Sequence, residues 1–100
     1  MSAFNDTQLL ALADICRRFG IAECSVFGSA ATGPIERAND VDFSIRLAPG
    51  RVLDFDDYAN LEAELRILVG KPVDVVNASF IRNPFFRRSV EATRRVLYAA

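Results

Sequence analysis

The stretch SVFGSAATGPIERANDVDFSI, Ser25 to Ile45, decides how the chain is read. An apolar run ends in Gly28-Ser29, and a second apolar run opens on Asp40-Val41-Asp42. Val41, Phe43, Ile45 and Leu47 alternate with Asp40, Asp42, Ser44 and Arg46. That period of two predicts a strand from Val41 to Leu47 with one apolar face and both aspartates on the other. Two like charges side by side on a strand repel each other unless water or a cation separates them. A hard divalent cation such as Mg²⁺ binds carboxylate oxygens and supplies the compensating charge.

A third acid strengthens this reading. Asp74 sits in the middle of Pro72-Val-Asp-Val-Val76, which is too short and too β-branched for a helix. A lone carboxylate in an apolar strand is costly to bury unless it is paired or metal-bound. If the second and third strands are neighbours, Asp40, Asp42 and Asp74 share one face and suffice for one or two metal ions. The Gly28-Ser29 turn supplies a complementary element. Glycine lets a backbone approach a phosphate closely, a short helical turn over Ser29–Thr32 presents free N–H groups, and Ser29 adds a hydroxyl.

Working outward, Asn5-Asp6 with Gln8 reads as a capping box. Leu9, Leu12, Cys16 and Phe19 follow at helical spacing, so a first helix is expected over about residues 6–19, stopped by Gly20. Ile21 to Phe27 reads as the first strand. Gly33-Pro34 breaks the short turn, and Glu36 to Asn39 reads as a loop. After Pro49-Gly50, Asp54 or Asp56 caps a helix to about Val69 with Tyr58, Leu61, Leu65 and Leu68 on one face. Asn83-Pro84 opens a last helix, along which Phe86, Val90, Thr93 and Leu97 fall on one face.

The expected order is α-β-turn-β-α-β-α. The fold class is α/β or α+β, a small mixed sheet with helices packed on it. The sheet is expected to be mixed because the link between the first two strands is short for a parallel crossover.

Composition narrows the chemistry. One hundred residues, 51% apolar and 25% charged, suggest one globular domain over 1–100. No apolar run approaches the roughly 18 residues of a membrane span, and the N-terminus lacks signal-peptide features, so a cytoplasmic protein with no membrane partner is expected. The absence of histidine excludes Ser-His-Asp and Cys-His catalysis and histidine metal sites. Cys16 and Cys24 do not have metal-ligand or CxxC spacing and read as two buried thiols. The net charge of −1 gives no global bias toward nucleic acid, and direct nucleic-acid binding is not expected. The segment carrying Asp54, Asp56, Asp57, Glu62 and Glu64 is acidic, whereas Arg82, Arg87, Arg88, Arg94 and Arg95 make the C-terminal segment basic. These arginines read either as a solvated helix face or as a docking patch.

With these residues together, the chain resembles the minimal nucleotidyltransferases of the DNA-polymerase-β-like superfamily, of the type found as the antitoxin in HEPN/MNT toxin–antitoxin pairs. That pattern is a strand ending in Gly-Ser, a short helix, Asp-x-Asp on the next strand and a third Asp on a later one. Here these are Gly28-Ser29, Asp40-Val41-Asp42 and Asp74, and the resemblance spans roughly Leu9 to Tyr98. The ending NPFFRRSVEATRRVLY also resembles the family's last helix.

The resemblance implies a polymerase-β-like nucleotidyltransferase fold, with Asp40, Asp42 and Asp74 as catalytic metal ligands of a two-Mg²⁺ site. Gly28 and Ser29 would bind the β- and γ-phosphates of ATP. It further implies a type VII antitoxin that transfers AMP from ATP to a hydroxyl, a tyrosine, of a cognate HEPN toxin and so neutralises it. Two alternatives stay open: an antitoxin of weak or no activity that acts by binding alone, and a stand-alone nucleotidyltransferase for a small molecule such as an aminoglycoside. A homo-oligomer also stays open. The family often writes the turn Gly-Ser-Arg-Ala-Arg-Gly. This chain has Ala30 and Thr32 at the arginine positions, with Arg37 or Arg46 as candidate replacements.

Overall fold

The computed structural model describes residues 4–33 and 37–100; Pro34 and Glu36, expected to break the turn and open the loop, lie outside them. The first helix, α1 (Asp6–Phe19), begins with a reciprocal cap. Asn5 Oδ1 accepts the Gln8 N–H at 2.8 Å, and Gln8 Oε1 accepts the Asn5 N–H at 3.0 Å. Two donors that a helix start leaves unpaired are thereby satisfied. Strand β1 (Ile21–Phe27) runs into the single turn α2 (Ser29–Thr32), followed by β2 (Val41–Leu47). The long helix α3 (Phe55–Val69) is capped the same way, with Asp54 and Asp57 exchanging bonds of 2.8 and 3.0 Å. Strand β3 (Val73–Asn77), a 3₁₀ turn (Ala78–Phe80), α4 (Pro84–Thr93) and β4 (Arg95–Ala99) complete the chain.

The sheet has the order β3-β2-β1-β4 and is mixed. β1 pairs antiparallel with β2 and with β4, while β2 and β3 are parallel, joined through α3. Both expectations, of a mixed sheet and of a short antiparallel link, are met. α1 and α3 cover one face. Phe43, Leu12, Ile45, Leu61, Leu65, Val41 and Cys16 are fully buried there. Each large apolar side chain in this layer contributes roughly 1.5–3 kcal/mol relative to an exposed one. Arg18 on α1 donates two hydrogen bonds to the Glu64 carboxylate on α3, at 2.9 and 2.5 Å, which holds the two helices together on the solvent side. Both cysteines are buried and free, and a hydrogen bond with Cys16, together with burial, pushes the Cys24 thiol up.

The end of the chain corrects the sequence reading. The last helix stops at Thr93, Arg94 turns extended with φ −63° and ψ 143°, and the residues that follow form β4 beside β1. Leu97 is therefore on a strand, not on the helical face with Phe86 and Val90. The 3.6-residue spacing was coincidental. Val96 and Tyr98 favour a strand while Leu97 favours a helix, and β1 offered an unpaired edge that decided for the strand. The third strand also begins and ends one residue later than its apolar run suggested.

The second face of the sheet is covered as well. Phe27, Ile81 and Val90 form a small apolar cluster that includes α4, with Val76 packed against it. Phe86 meets Phe27 edge-on at 5.9 Å between ring centroids. α4 thus lies on the face that carries the acids, beside them.

Candidate functional site

Each acid is positioned by a backbone relationship. Asp42 is the first residue of β2 paired with β1, directly opposite Phe27, and it is also in register with Asp74 on β3. Residues paired across strands project to the same face. Asp40 precedes β2, two residues from Asp42. Oxygen atoms of Asp40, Asp42 and Asp74 all lie within 4.8 Å of one another. The three carboxylates anticipated from the sequence are therefore brought together by the parallel register of β2 and β3.

Two contacts hold that register at its entry. The Val41 N–H donates to Pro72 O at 2.9 Å, and Lys71 Nζ donates to Ala38 O at 2.6 Å. Lys71 was not singled out from the sequence, and nothing in its spacing marked it.

The electrostatics follow from the geometry. Burial, then the charges of Asp40 and Asp74, push the Asp42 carboxyl above its ordinary value. No arginine or lysine forms an ion pair with any of the three acids among the described residues. An all-oxygen, multiply negative donor set with no ion-paired cation among the described residues matches the needs of a hard divalent ion.

The Gly28-Ser29 turn abuts this cluster. Gly28 has φ 73° and ψ −147°, a conformation that L side chains rarely adopt, and a Cβ there would stand 3.2 Å from Asp42 Oδ2. Its N–H is already engaged by Thr93 Oγ1 at 3.2 Å, and the Thr93 hydroxyl in turn donates to Ser89 O at 3.0 Å. The Ala31 and Thr32 N–H groups bond back to Gly28 O, so the amides of Ser29 and Ala30 open the turn without intrahelical acceptors. Ser29 is exposed. Thr93 was read from the sequence only as part of an apolar face, and its tie to Gly28, 65 residues away, is purely tertiary.

Neither candidate replacement for the turn arginines joins the acids. Arg46 lies four residues beyond Asp42, roughly 13 Å along the strand, and its guanidinium is 4.0 Å from Glu23. Arg37 is exposed and has no ion pair among the described residues. Ala30 is buried at 2% exposure, so the first arginine position of the family pattern is here part of the core.

Comparison with known proteins decides the family. The family model described as polymerase beta, nucleotidyltransferase, matches residues 11–100. The chain belongs to this nucleotidyltransferase family.

A Methanocaldococcus jannaschii protein provisionally named a protein adenylyltransferase is 26% identical over 74 residues, covering 74% of each chain. A solved structure described as a candidate minimal nucleotidyltransferase is 29% identical, with a TM-score of 0.68 over 89% of this chain and 87% of that one. The MNT antitoxin complexed with tri-AMPylated Shewanella oneidensis HEPN toxin shares the fold, with a TM-score of 0.68 at 16% identity over 94% of this chain and 71% of that one. The fold of this nucleotidyltransferase is thus the mixed-sheet α+β arrangement of the family. Among its described residues no helix is long and apolar enough to cross a membrane.

Proposed function

We propose that this nucleotidyltransferase is a Mg²⁺-dependent antitoxin of the cytoplasm, a single domain over residues 1–100, which transfers AMP from ATP to a tyrosine hydroxyl of a HEPN-domain toxin. The observation that carries the proposal is the placing of three carboxylates within 4.8 Å of one another against the left-handed Gly28. The names of the M. jannaschii relative and of the S. oneidensis complex support the choice of AMP and of a protein acceptor.

In this reading Asp40 and Asp42 would hold both metal ions, and Asp74 would join them at the second, on the acceptor side. A Mg²⁺ ion held there would supply charge to offset the phosphates and to make the acceptor hydroxyl more acidic. Gly28 lets the triphosphate approach the backbone, and the Ser29 hydroxyl and the Ser29 and Ala30 amides donate to its β- and γ-phosphates. The acceptor oxygen forms a bond to the α-phosphorus as the bond to the bridging oxygen breaks. Diphosphate leaves, and the hydroxyl proton passes to the Asp74 carboxylate or to water. No histidine is needed at any point.

A second reading has a specific observation behind it. The turn Gly28-Ser29-Ala30-Ala31-Thr32-Gly33 has no arginine, and Arg46 is turned toward Glu23. An antitoxin that masks its toxin by binding alone fits that loss of cationic charge. Incubation with Mg-ATP and the protein encoded by the neighbouring gene separates the two. AMP units gained by that protein, and lost in Asp42→Asn, support transfer. Neutralisation that survives Asp42→Asn with no mass gain supports masking.

A further inference from the structure

β3 is an edge strand that carries Asp74, and its outer side is open. Since the Val41 N–H donates to Pro72 O, the ladder alternation turns the peptide groups of Val73, Val75 and Asn77 away from β2. The register with β2 runs unbroken from Val73 to Asn77, with no bulge. At the opposite edge of the sheet, by contrast, the pairing of β4 with β1 shifts register between Cys24 and Ser25. Edge strands usually carry a bulge, a charge or a proline that discourages pairing; β3 has no bulge, its one charge, Asp74, is turned to the face of the acid cluster, and Pro72 lies before the strand, so the outward N–H groups of Val73, Val75 and Asn77 are intact.

A groove of about 460 Å³ follows this open edge. Tyr58 and Val75 line it on the α3 side, and Phe80, Ile81 and Phe86 on the α4 side. Phe80 is 71% exposed and Phe85, nearby on α4, is 76% exposed. Aromatic residues left this bare around an unprotected edge match the mode in which an extended segment adds a strand. Main-chain bonds give affinity there, and side pockets accept alternate side chains.

Charge specifies the occupant further. Arg82 lines the groove and Arg88 stands on the adjoining helix. Both are exposed and neither forms an ion pair among the described residues.

We propose that the β3 edge docks the acceptor protein itself, as an extended segment with apolar alternate residues and flanking acids, and that this pairing delivers the hydroxyl to Asp74. The proposal rests on the transfer reading above and names how its acceptor is held. An added strand lies about 4.8 Å from β3. A side chain opposite Asp74 projects from the same face, its Cβ roughly 5 Å from that of Asp74. The strand that supplies the third acid thus doubles as the template that orients the acceptor.

The test uses the full chain, Mg-ATP and the protein encoded by the neighbouring gene. Val75→Pro removes an outward N–H, a change that an edge strand tolerates. Phe80→Ala removes a groove wall and serves if the proline variant does not fold. Binding of Mg-ATP, read as a thermal shift, stays at the wild-type value in both. The acceptor-dependent rate, kcat/KM, falls tenfold or more, and the Val75 amide of the wild type becomes protected from hydrogen exchange in the complex. Wild-type kcat/KM in the folded variants, or an unprotected Val75 amide, overturns the proposal and leaves the transfer reading standing.

If the wild type transfers nothing, the transfer reading has failed and docking is read from binding alone. Binding that Val75→Pro or Phe80→Ala weakens tenfold supports docking at the edge, while unchanged binding, or none by the wild type, overturns it. Dissociation of a self-dimer by Val75→Pro with unchanged acceptor binding assigns the edge to a second copy of this chain, and likewise overturns the proposal.

Discussion

Gly28 and Asp42 are locked face to face: a single carbon added to the glycine would stand 3.2 Å from the aspartate's Oδ2. The turn proposed for the phosphates and the carboxylate proposed for the metal therefore cannot be altered independently. Gly28→Ala meets both a φ of 73° and the crowded carboxylate. A loss of about 1 kcal/mol or more in stability is expected, from the strained backbone alone. AMP transfer falls by a larger factor than thermal unfolding accounts for, because Asp42 is displaced. Unfolding curves and initial rates measured on the same preparation check this, and a variant with the wild-type rate contradicts the proposed placing of the triphosphate.

Asp42→Asn separates stability from function. In the absence of divalent ions the substitution removes one of three clustered negative charges, so the thermal midpoint stays level or rises. Addition of Mg²⁺ raises the wild-type midpoint by mass action and leaves that of Asp42→Asn little changed. Transfer activity is lost. Calorimetry with and without Mg²⁺ decides it, and equal shifts in the two proteins exclude Asp42 as a ligand.

The pH dependence has a definite sign. Burial and the charges of Asp40 and Asp74 raise the Asp42 pKa in the folded chain above its unfolded value of 3.8. Over the interval between the two values the folded state binds more protons than the unfolded state, so this group lowers stability as pH rises through it. Its unfavourable contribution is fully present above the folded pKa and disappears as pH falls below 3.8. Glu64 opposes it. Its bonds with Arg18 lower its folded pKa below the unfolded 4.5, so its stabilising contribution is present above 4.5 and is lost as pH falls through the folded value. Acid titration of Asp42→Asn against Arg18→Ala, followed by thermal unfolding, resolves the two opposite slopes. Mg²⁺ binding weakens as pH falls toward the Asp42 pKa, because protons compete for the same oxygens.

Thr93→Val tests the long-range tie to Gly28. The Gly28 N–H loses its acceptor, at a cost of roughly 1–3 kcal/mol for a donor left partly buried. Because Thr93 acts through Gly28, KM for ATP rises while Mg²⁺ binding at the acids is retained. Thr93→Ser keeps the hydroxyl and rescues the KM. Equal losses in both variants indicate a packing role only.

Leu61→Ala calibrates the core. Leu61 is fully buried between α3 and the sheet. Truncation costs about 2–5 kcal/mol, which chemical denaturation measures directly.

Most elements were legible because local physics fixes them. The caps at Asn5 and Asp54, the stop at Gly20 and the alternation from Val41 to Leu47 act within a few residues, and each element formed where these signals put it. The three acids were legible for a related reason: Asp42 on β2 and Asp40 just before it fall on one side by simple alternation, and the third is anomalous in its own apolar strand. The last strand was not legible, because a helical and an extended reading of Arg95–Ala99 are close in local preference. The free edge of β1 decided between them.

By itself, then, the sequence determined the types of the main elements as far as α4, the polar face of β2 and a chemistry without histidine. The tertiary structure alone decided that β3 lies parallel to β2 in a register opposing Asp74 to Asp42, that Thr93 reaches Gly28, and that the acid-bearing edge faces an open groove. The division has one physical cause. Propensity, capping and side-chain alternation are short-range and written residue by residue, whereas register and edge exposure depend on which strand finds which partner once the chain has closed on its core.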